Sequence, residues 1–324
     1  MSLELQRSDS NNIPLIIVNP KSASGSTQTR WARIASDWAA HYGAFNVDFT
    51  EYRGHGIELA KKAAESGRKF IVACGGDGTI NEVANGIMLS GIDAELGVLP
   101  QGTGGDFRRT IGMPSTIRRA SEALKNGVTK TIDVGKVTYI NHQDQTEERY
   151  FLNIASVGLS ASIIERVKTS GNLNWITFGS LRGKASFAYS ALQEVLNLGV
   201  RTVRVRFDDS EVKSLQTIVF CVANARYFGG GMKIAPDAII DDGLFNAVNI
   251  GDLSTTKIMR KAPKLYAGTH YSLDEVKHTT AKKIEISAFG NEEIHLETDG
   301  ELPGKLPAVF EILPSALKVR VPKN

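Results

Sequence analysis

The chain has 324 residues, 42% of them hydrophobic and 23% charged, with a formal net charge of +3. That length suggests about two domains and a core large enough to stand without staples. The mild basicity falls short of a nucleic-acid-binding signature, and no stretch approaches the ~18 apolar residues of a membrane-spanning helix. The two cysteines, Cys74 and Cys221, each end an apolar run; they read as buried, reduced thiols of a cytoplasmic protein.

The first part of the chain alternates strand-like and helix-like patterns. Pro14 to Val18 reads as a buried strand, Thr29 to Tyr42 as a helix, Phe45 to Thr50 as a strand and Gly56 to Ser66 as a helix. Phe70 to Cys74, Ile80 to Leu89 and Glu95 to Leu99 continue the alternation as strand, helix and strand. Strands separated by helices of this length indicate a parallel α/β sheet, whose ligands gather beyond the carboxyl ends of the strands. After Ile132-Asp133-Val134-Gly135 the pattern turns β-rich, with single strands expected over Tyr150–Val157, Thr202–Phe207, Leu215–Asn224, Leu244–Ile250, Lys282–Ser287 and Glu293–Leu296. Two helices are expected there, about Gly183–Asn197 and Ser254–Tyr266, and two closing strands, Ala308–Leu313 and Leu317–Val321. A mostly antiparallel second domain follows from this.

Three loops follow strands of the α/β part. Cys74-Gly75-Gly76-Asp77-Gly78-Thr79-Ile80-Asn81-Glu82 sets three glycines around one aspartate and leads into a helix. Glycines let a ligand approach the main chain, and a helix start offers free N–H groups to phosphate. Read alone, the same run is a tight turn capped by Asp77. Leu99-Pro100-Gln101-Gly102-Thr103-Gly104-Gly105-Asp106 is a second glycine loop, and Asn19-Pro20-Lys21-Ser22-Ala23-Ser24-Gly25 a third. Loops after adjacent strands face one crevice, so they reinforce one another. No Walker A motif, dinucleotide fingerprint, protein-kinase signature, zinc spacing or serine-hydrolase elbow occurs.

With these residues in place, the chain resembles the diacylglycerol kinase catalytic-domain family, whose relatives include bacterial soluble lipid kinases and the sphingosine and ceramide kinases. The resemblance runs through Asn19-Pro20 with Gly25, Gly75 to Gly86, Leu99 to Gly104, Ile132 to Gly135, Phe151-Leu152-Asn153, Pro236 to Leu244 and Asp299-Gly300-Glu301. It implies a Rossmann-like, NAD-kinase-like α/β nucleotide domain over residues 12–134 and a larger antiparallel β-rich lipid-substrate domain over 135–304, with strands of 305–324 returning to the first. ATP and Mg²⁺ are implied in the cleft between domains, and a lipid substrate met peripherally at the membrane surface. A homodimer is suggested by analogy, and nucleic acid is not expected as a partner.

The resemblance also implies roles. Gly75, Gly76, Asp77, Gly78, Thr79, Asn81 and Glu82 match the nucleotide loop. Asn19, Pro20, Lys21, Ser24, Gly25, Thr50, Gly102 and Thr103 match further nucleotide contacts. Glu301 matches the proton acceptor, with Asp77 as its rival and Asp299 beside it. Asp77, Asp133 and Asp299 match carboxylates around the catalytic Mg²⁺, and Asp242 with the main chain at Ile239 and Leu244 matches a second, structural Mg²⁺ site. The family usually carries Asn where this chain has Gly105, so an amide contact to nucleotide or metal is missing. Read alone, Asp299-Gly300 and Asp241-Asp242-Gly243 are ordinary turns. A lipid entrance is expected around Trp175–Lys184 and the helix after it, and Arg201, Arg204 and Arg206 are candidates for anionic head groups. An NAD-kinase-like enzyme and a non-catalytic lipid-binding regulator are the competing readings.

Overall fold

The computed structural model describes residues 13–102, 104–158 and 200–323. Thr103, the stretch Trp175–Lys184 and the helix expected about Gly183–Asn197 lie outside the described residues. The chain divides into two units, 1–132 with 315–324, and 133–314.

The first unit is α/β. Its elements are β1 (Leu15–Val18), α1 (Ser26–His41), β2 (Asn46–Phe49), α2 (His55–Glu65), β3 (Phe70–Gly75), α3 (Asp77–Ser90), β4 (Glu95–Pro100), α4 (Asp106–Thr110) and α5 (Ile117–Asn126). β1 and β3 are buried at every position, as strands covered on both faces must be, whereas the edge strand β2 is partly exposed. The parallel order is β4-β3-β1-β2. The chain steps outward from β1 to β2 and then returns to the other side of β1 to form β3. The ends of β1 and β3 therefore flank a topological switch point, where open α/β sheets bind ligands.

Small residues set the distance between α2 and α3. Gly56, Ala60, Ala63 and Ala64 are the buried positions of α2. A Cβ at Gly86 of α3 would run into the Ile57 carbonyl and lie 2.6 Å from the Ala60 Cβ. With the helices this close, Glu82 reaches across and accepts the N–H groups of Gly54 (2.9 Å) and Gly56 (3.1 Å) at the start of α2.

The second unit is β-rich. It holds β5 (Val128–Asn141, which begins in the first unit), β6 (Thr146–Phe151), β7 (Ile154–Gly158), β8 (Arg201–Phe207), β9 (Lys213–Thr217), β10 (Val219–Ala223) and β11 (Phe245–Ile250). α6 (Thr255–Ala267), β12 (Val276–Ala281), β13 (Lys283–Ala288), β14 (His295–Thr298) and β15 (Glu301–Val321) complete it. Its pairings β12-β11-β10-β7-β14-β15 are antiparallel, as are β15-β13-β8-β9 and β5-β6. One core gathers Phe151, Phe220, Phe245, Phe310 and Leu296; a second gathers Cys221, Ile234, Val248 and Val276. Both cysteines are buried free thiols, and burial pushes Cys74 up to about 12.

Three expected elements differ from those found. The strand expected over Tyr150–Val157 is two, because the N–H groups of Leu152, Asn153 and Ile154 leave the ladder for the Asp299 carboxylate. The strand expected over Leu215–Asn224 breaks at Ile218, where β9, paired to β8, gives way to β10, paired to β7 and β11. The two closing strands are one long strand, β15, with a left-handed residue at Ser315 (φ 51°) where the chain passes from the second unit to the first. Its end joins β4 in parallel, and Arg320 grips the buried Glu95 through two nitrogens, one at 2.8 Å.

Candidate active site

The three loops at the carboxyl ends of β1, β3 and β4 are tied together by side chains the sequence had singled out. Asn19 Nδ2 donates to Thr79 Oγ1 (3.1 Å), and Asn19 Oδ1 accepts the Lys21 N–H (3.0 Å). The Asp77 carboxylate accepts the Gly105 N–H (2.7 Å) at one oxygen and the Phe107 N–H (3.1 Å) at the other. Lys21 Nζ reaches the Glu51 carbonyl (3.4 Å), next to Thr50, whose own N–H donates to the Val18 carbonyl (2.9 Å). All these residues belong to the first unit.

The glycines of the loops serve different ends. A Cβ at Gly102 would strike the Gly76 Cα, and one at Gly75 would strike the Thr79 side chain. Gly102 is small because two loops touch there, and Gly75 because its own loop folds back on Thr79. Gly78 is another case. It lies in the first turn of α3, at a helical φ, and among the described residues no atom lies within 4 Å of where its Cβ would be. Glycine in a helix costs up to about 1 kcal/mol relative to alanine, and no contact among the described residues accounts for it. Gly78 stands in the first turn, where a helix start offers free N–H groups to an anion. We expect Gly78→Ala to leave stability unchanged or raise it, by at most about 1 kcal/mol, while raising the KM for nucleotide roughly tenfold or more. Steady-state kinetics beside denaturant unfolding would decide; an unaltered KM would mean that no ligand uses the space.

The β1 loop carries backbone strain in the same place. Ala23 (φ 51°), Ser24 (φ 58°) and Gly25 (φ 81°) are consecutively left-handed. Each non-glycine residue held there costs about 1–2 kcal/mol, and such strain concentrates at ligand sites.

In the second unit, Asp299 and Gly300 (φ 46° and 87°) form the two-residue turn between β14 and β15, with Thr298 opposite Glu301. Left-handed angles at both central residues define the hairpin turn for which Asp-Gly is suited. The turn reading of this dipeptide is therefore correct, and the side chain adds something it lacked. The Asp299 carboxylate accepts three main-chain N–H groups, from Leu152 (2.7 Å), Asn153 (2.9 Å) and Ile154 (3.1 Å). Glu301, half-buried, starts β15 directly after this clasp. Glu297 supports the hairpin from below, accepting the Gly300 N–H (2.6 Å) and bonding the Ser156 hydroxyl.

Asp133 is almost wholly buried. Its Oδ2 accepts the Gly243 N–H (2.6 Å) and its N–H donates to the Ile240 carbonyl (2.8 Å), which brings the 239–244 loop to it. Asp242 Oδ1 accepts the Leu244 N–H (3.0 Å). Burial, followed by the charge of Asp133, raises the Asp242 carboxyl above its ordinary range. The structure thus places Asp133, Asp242, Ile239 and Leu244 in one loop neighbourhood. Among the described residues no three acidic, imidazole or thiol side chains converge on a metal position.

Sequence reasoning missed Asn224. Wholly buried, it donates through Nδ2 to the carbonyls of Asp133 (2.9 Å) and Leu152 (3.0 Å), and so connects the Asp133 loop to the Asp299 clasp. The only signal was a lone amide closing the apolar run Phe220–Ala223.

Comparison with known proteins agrees with this anatomy. Residues 14–137 match the diacylglycerol kinase catalytic domain, and residues 154–321 match the YegS C-terminal NAD kinase beta sandwich-like domain. A diacylglycerol kinase of Staphylococcus epidermidis is 30% identical over 275 residues, covering 85% of this chain and 81% of that protein. One of Mycobacterium tuberculosis is 28% identical over 310 residues, covering 95% and 94%. A Bacillus anthracis str. Sterne crystal structure matches with TM-score 0.74 at 25% identity, covering 96% of this chain and 95% of that one. Another from that organism, a diacylglycerol kinase, matches at TM-score 0.70 and 23% identity over 96% and 97%, and speaks for the fold. The catalytic-domain match and relatives that are diacylglycerol kinases over most of their length make the chain a lipid kinase. The chain belongs to the diacylglycerol kinase catalytic-domain family.

Proposed function

We propose that the enzyme transfers the γ-phosphoryl group of ATP to the hydroxyl of a diacylglycerol-like lipid, assisted by Mg²⁺. One observation carries the nucleotide half of this reading. The loops after β1 and β3 meet at a switch point through Asn19 and Thr79, with the open Gly78 position at the start of α3. Phosphoryl transfer needs fixed donors and charge neutralisation more than covalent chemistry. The main-chain N–H groups at Gly76, Gly78 and Thr79 supply the donors, flanked by Asn19, Lys21, Ser24, Gly25, Thr50 and Gly102.

Magnesium suits the donor set, which is hard oxygen throughout. Asp77 and Asp299 each give both carboxylate oxygens to main-chain N–H groups, so they suit an ion reached through water. The ion supplies neutralisation of the phosphoryl oxygens. Glu301 receives the proton of the lipid hydroxyl. Asp77 is the weaker candidate for that step, because a proton on it would release Gly105 or Phe107. The Asp242 loop would hold a second, structural Mg²⁺ through Asp242 and main-chain oxygens around Ile239 and Leu244.

That second site makes its own prediction. Asp242 has a folded-state pKa above its unfolded value, so its ionised form opposes folding, and the more so as pH rises above the ordinary carboxylate range. In EDTA at neutral pH, Asp242→Asn should melt at or slightly above the wild-type temperature. Mg²⁺ should raise the melting temperature of the wild type alone, and by less as pH falls toward 4. An equal Mg²⁺ response in both proteins would refute the site.

No described helix is long and apolar enough to cross a membrane, so the lipid is proposed to be met at the membrane surface. Labelled ATP with dispersed diacylglycerol, other lipid alcohols or NAD tests the function directly. Label in NAD alone would mean an NAD-kinase-like enzyme, and lipid binding without any turnover would mean a regulator.

A further inference from the structure

Gly105 and Arg108 form a pair whose geometry goes beyond the roles assigned so far. Gly105 is left-handed (φ 66°), a conformation that glycine and asparagine both tolerate. The turn itself therefore does not demand glycine over the asparagine usual in the family. What stands in the way of a side chain is Arg108. From the position a Cβ would take at Gly105, Arg108 Nε is 3.1 Å away, Nη2 3.7 Å and Cζ 3.8 Å. The guanidinium fills the space of the missing side chain.

Its surroundings fix it there. Arg108 Nη1 donates to the Met113 carbonyl (3.0 Å), anchoring one edge of the fork. Burial and the charge of Arg109 weigh against its cation, and Asp77 and Asp106 attract it. Arg109 is itself engaged with Asp106 (2.9 Å) and the Gly104 carbonyl. Gly105, the residue Arg108 covers, donates its N–H to Asp77 at the start of α3. A planar cation with several donors is thereby set against the junction of the two glycine loops. Guanidinium groups pair with phosphate oxygens more strongly than neutral amides do.

We propose that Arg108 is a nucleotide-binding residue of this enzyme, its guanidinium contacting phosphate oxygens in the place that an asparagine amide at position 105 would otherwise serve. The inference rests on the kinase reading above and specifies how that site holds its anion.

The test is isothermal titration of the full-length protein with MgADP, comparing wild type, Arg108→Ala, Arg108→Gln and the double variant Gly105→Asn/Arg108→Ala. Both single variants should bind roughly 10–100-fold more weakly, the worth of a charge-assisted hydrogen bond. Arg108→Gln keeps neutral donors in the same space, so it separates loss of charge from loss of packing; melting temperatures confirm that each variant is folded. The double variant should bind more tightly than Arg108→Ala, recovering part of the loss, because a neutral amide replaces the guanidinium only in part. Folded single variants that bind as tightly as wild type would overturn the proposal, and so would a double variant no better than Arg108→Ala. A wild type that binds no MgADP would instead refute the kinase reading itself.

Discussion

Glu301→Gln should lower kcat by roughly 10²–10⁴-fold, the usual worth of a positioned general base, with KM for ATP and the unfolding free energy little altered. The substitution is isosteric, and it removes the carboxylate's charge together with its capacity to hold a proton. Glu301 lies at the first position of β15, outside the Asp299 clasp that shapes the hairpin. Asp77→Asn should behave differently. An amide there offers one acceptor where two N–H groups, of Gly105 and Phe107, now find two. Its –NH₂ would face a donor, loosening the junction of the glycine loops. A raised KM for nucleotide and a lower melting temperature should accompany any fall in kcat. The contrast matters because the two carboxylates are rivals for the same proton. A loss of kcat alone marks an interaction made only in the transition state, whereas a coupled loss of binding and stability marks an organiser. Glu301→Gln retaining a third or more of wild-type kcat in a diacylglycerol kinase assay would remove it from the role.

How much of this was legible beforehand depended on how local each signal is. Leu15–Val18 and Phe70–Gly75 are uninterrupted apolar runs because their strands are covered on both faces, and such runs announce themselves. The loops after them could be placed at strand ends by the same reasoning. Their use of glycine could not be apportioned. Gly76 and Gly102 are small because they touch each other across 26 positions of sequence, and Gly78 is small with nothing beside it among the described residues; the three look alike in a string of letters. In the second unit the failures share one cause. Tyr150–Val157 has the composition of a single strand, and only the distant Asp299 reveals why it breaks. Asn224 seemed one polar residue after an apolar run, and its two acceptors lie 91 and 72 positions away. Where a residue answers to the chain next to it, pattern suffices; where it answers to another strand, the pattern is silent.

Asp299→Ala should destabilise the protein by about 3–5 kcal/mol, the largest effect on stability expected at any site residue. The carboxylate holds three N–H groups at once, and their residues Leu152, Asn153 and Ile154 are all buried. Each buried donor left without an acceptor costs roughly 1–3 kcal/mol, and water reaching the gap offsets part of that sum. Asp299→Asn should fall between wild type and Ala. Its amide oxygen still accepts from the segment, but its –NH₂ is set against donors and the charge assistance is gone. The aspartate also occupies a left-handed turn position (φ 46°), which asparagine tolerates and alanine resists, so the backbone adds to the difference between the two variants. Denaturant unfolding of the three proteins measures this ordering, and the consequence extends to catalysis. Asp299 joins the β6–β7 break to the hairpin that presents Glu301, so Asp299→Asn should lose kcat even at temperatures where it remains folded. If Asp299→Ala unfolds within 1 kcal/mol of wild type, the three N–H groups find other acceptors. The hairpin then keeps its shape through Gly300, the β14–β15 pairing and the Glu297–Gly300 bond.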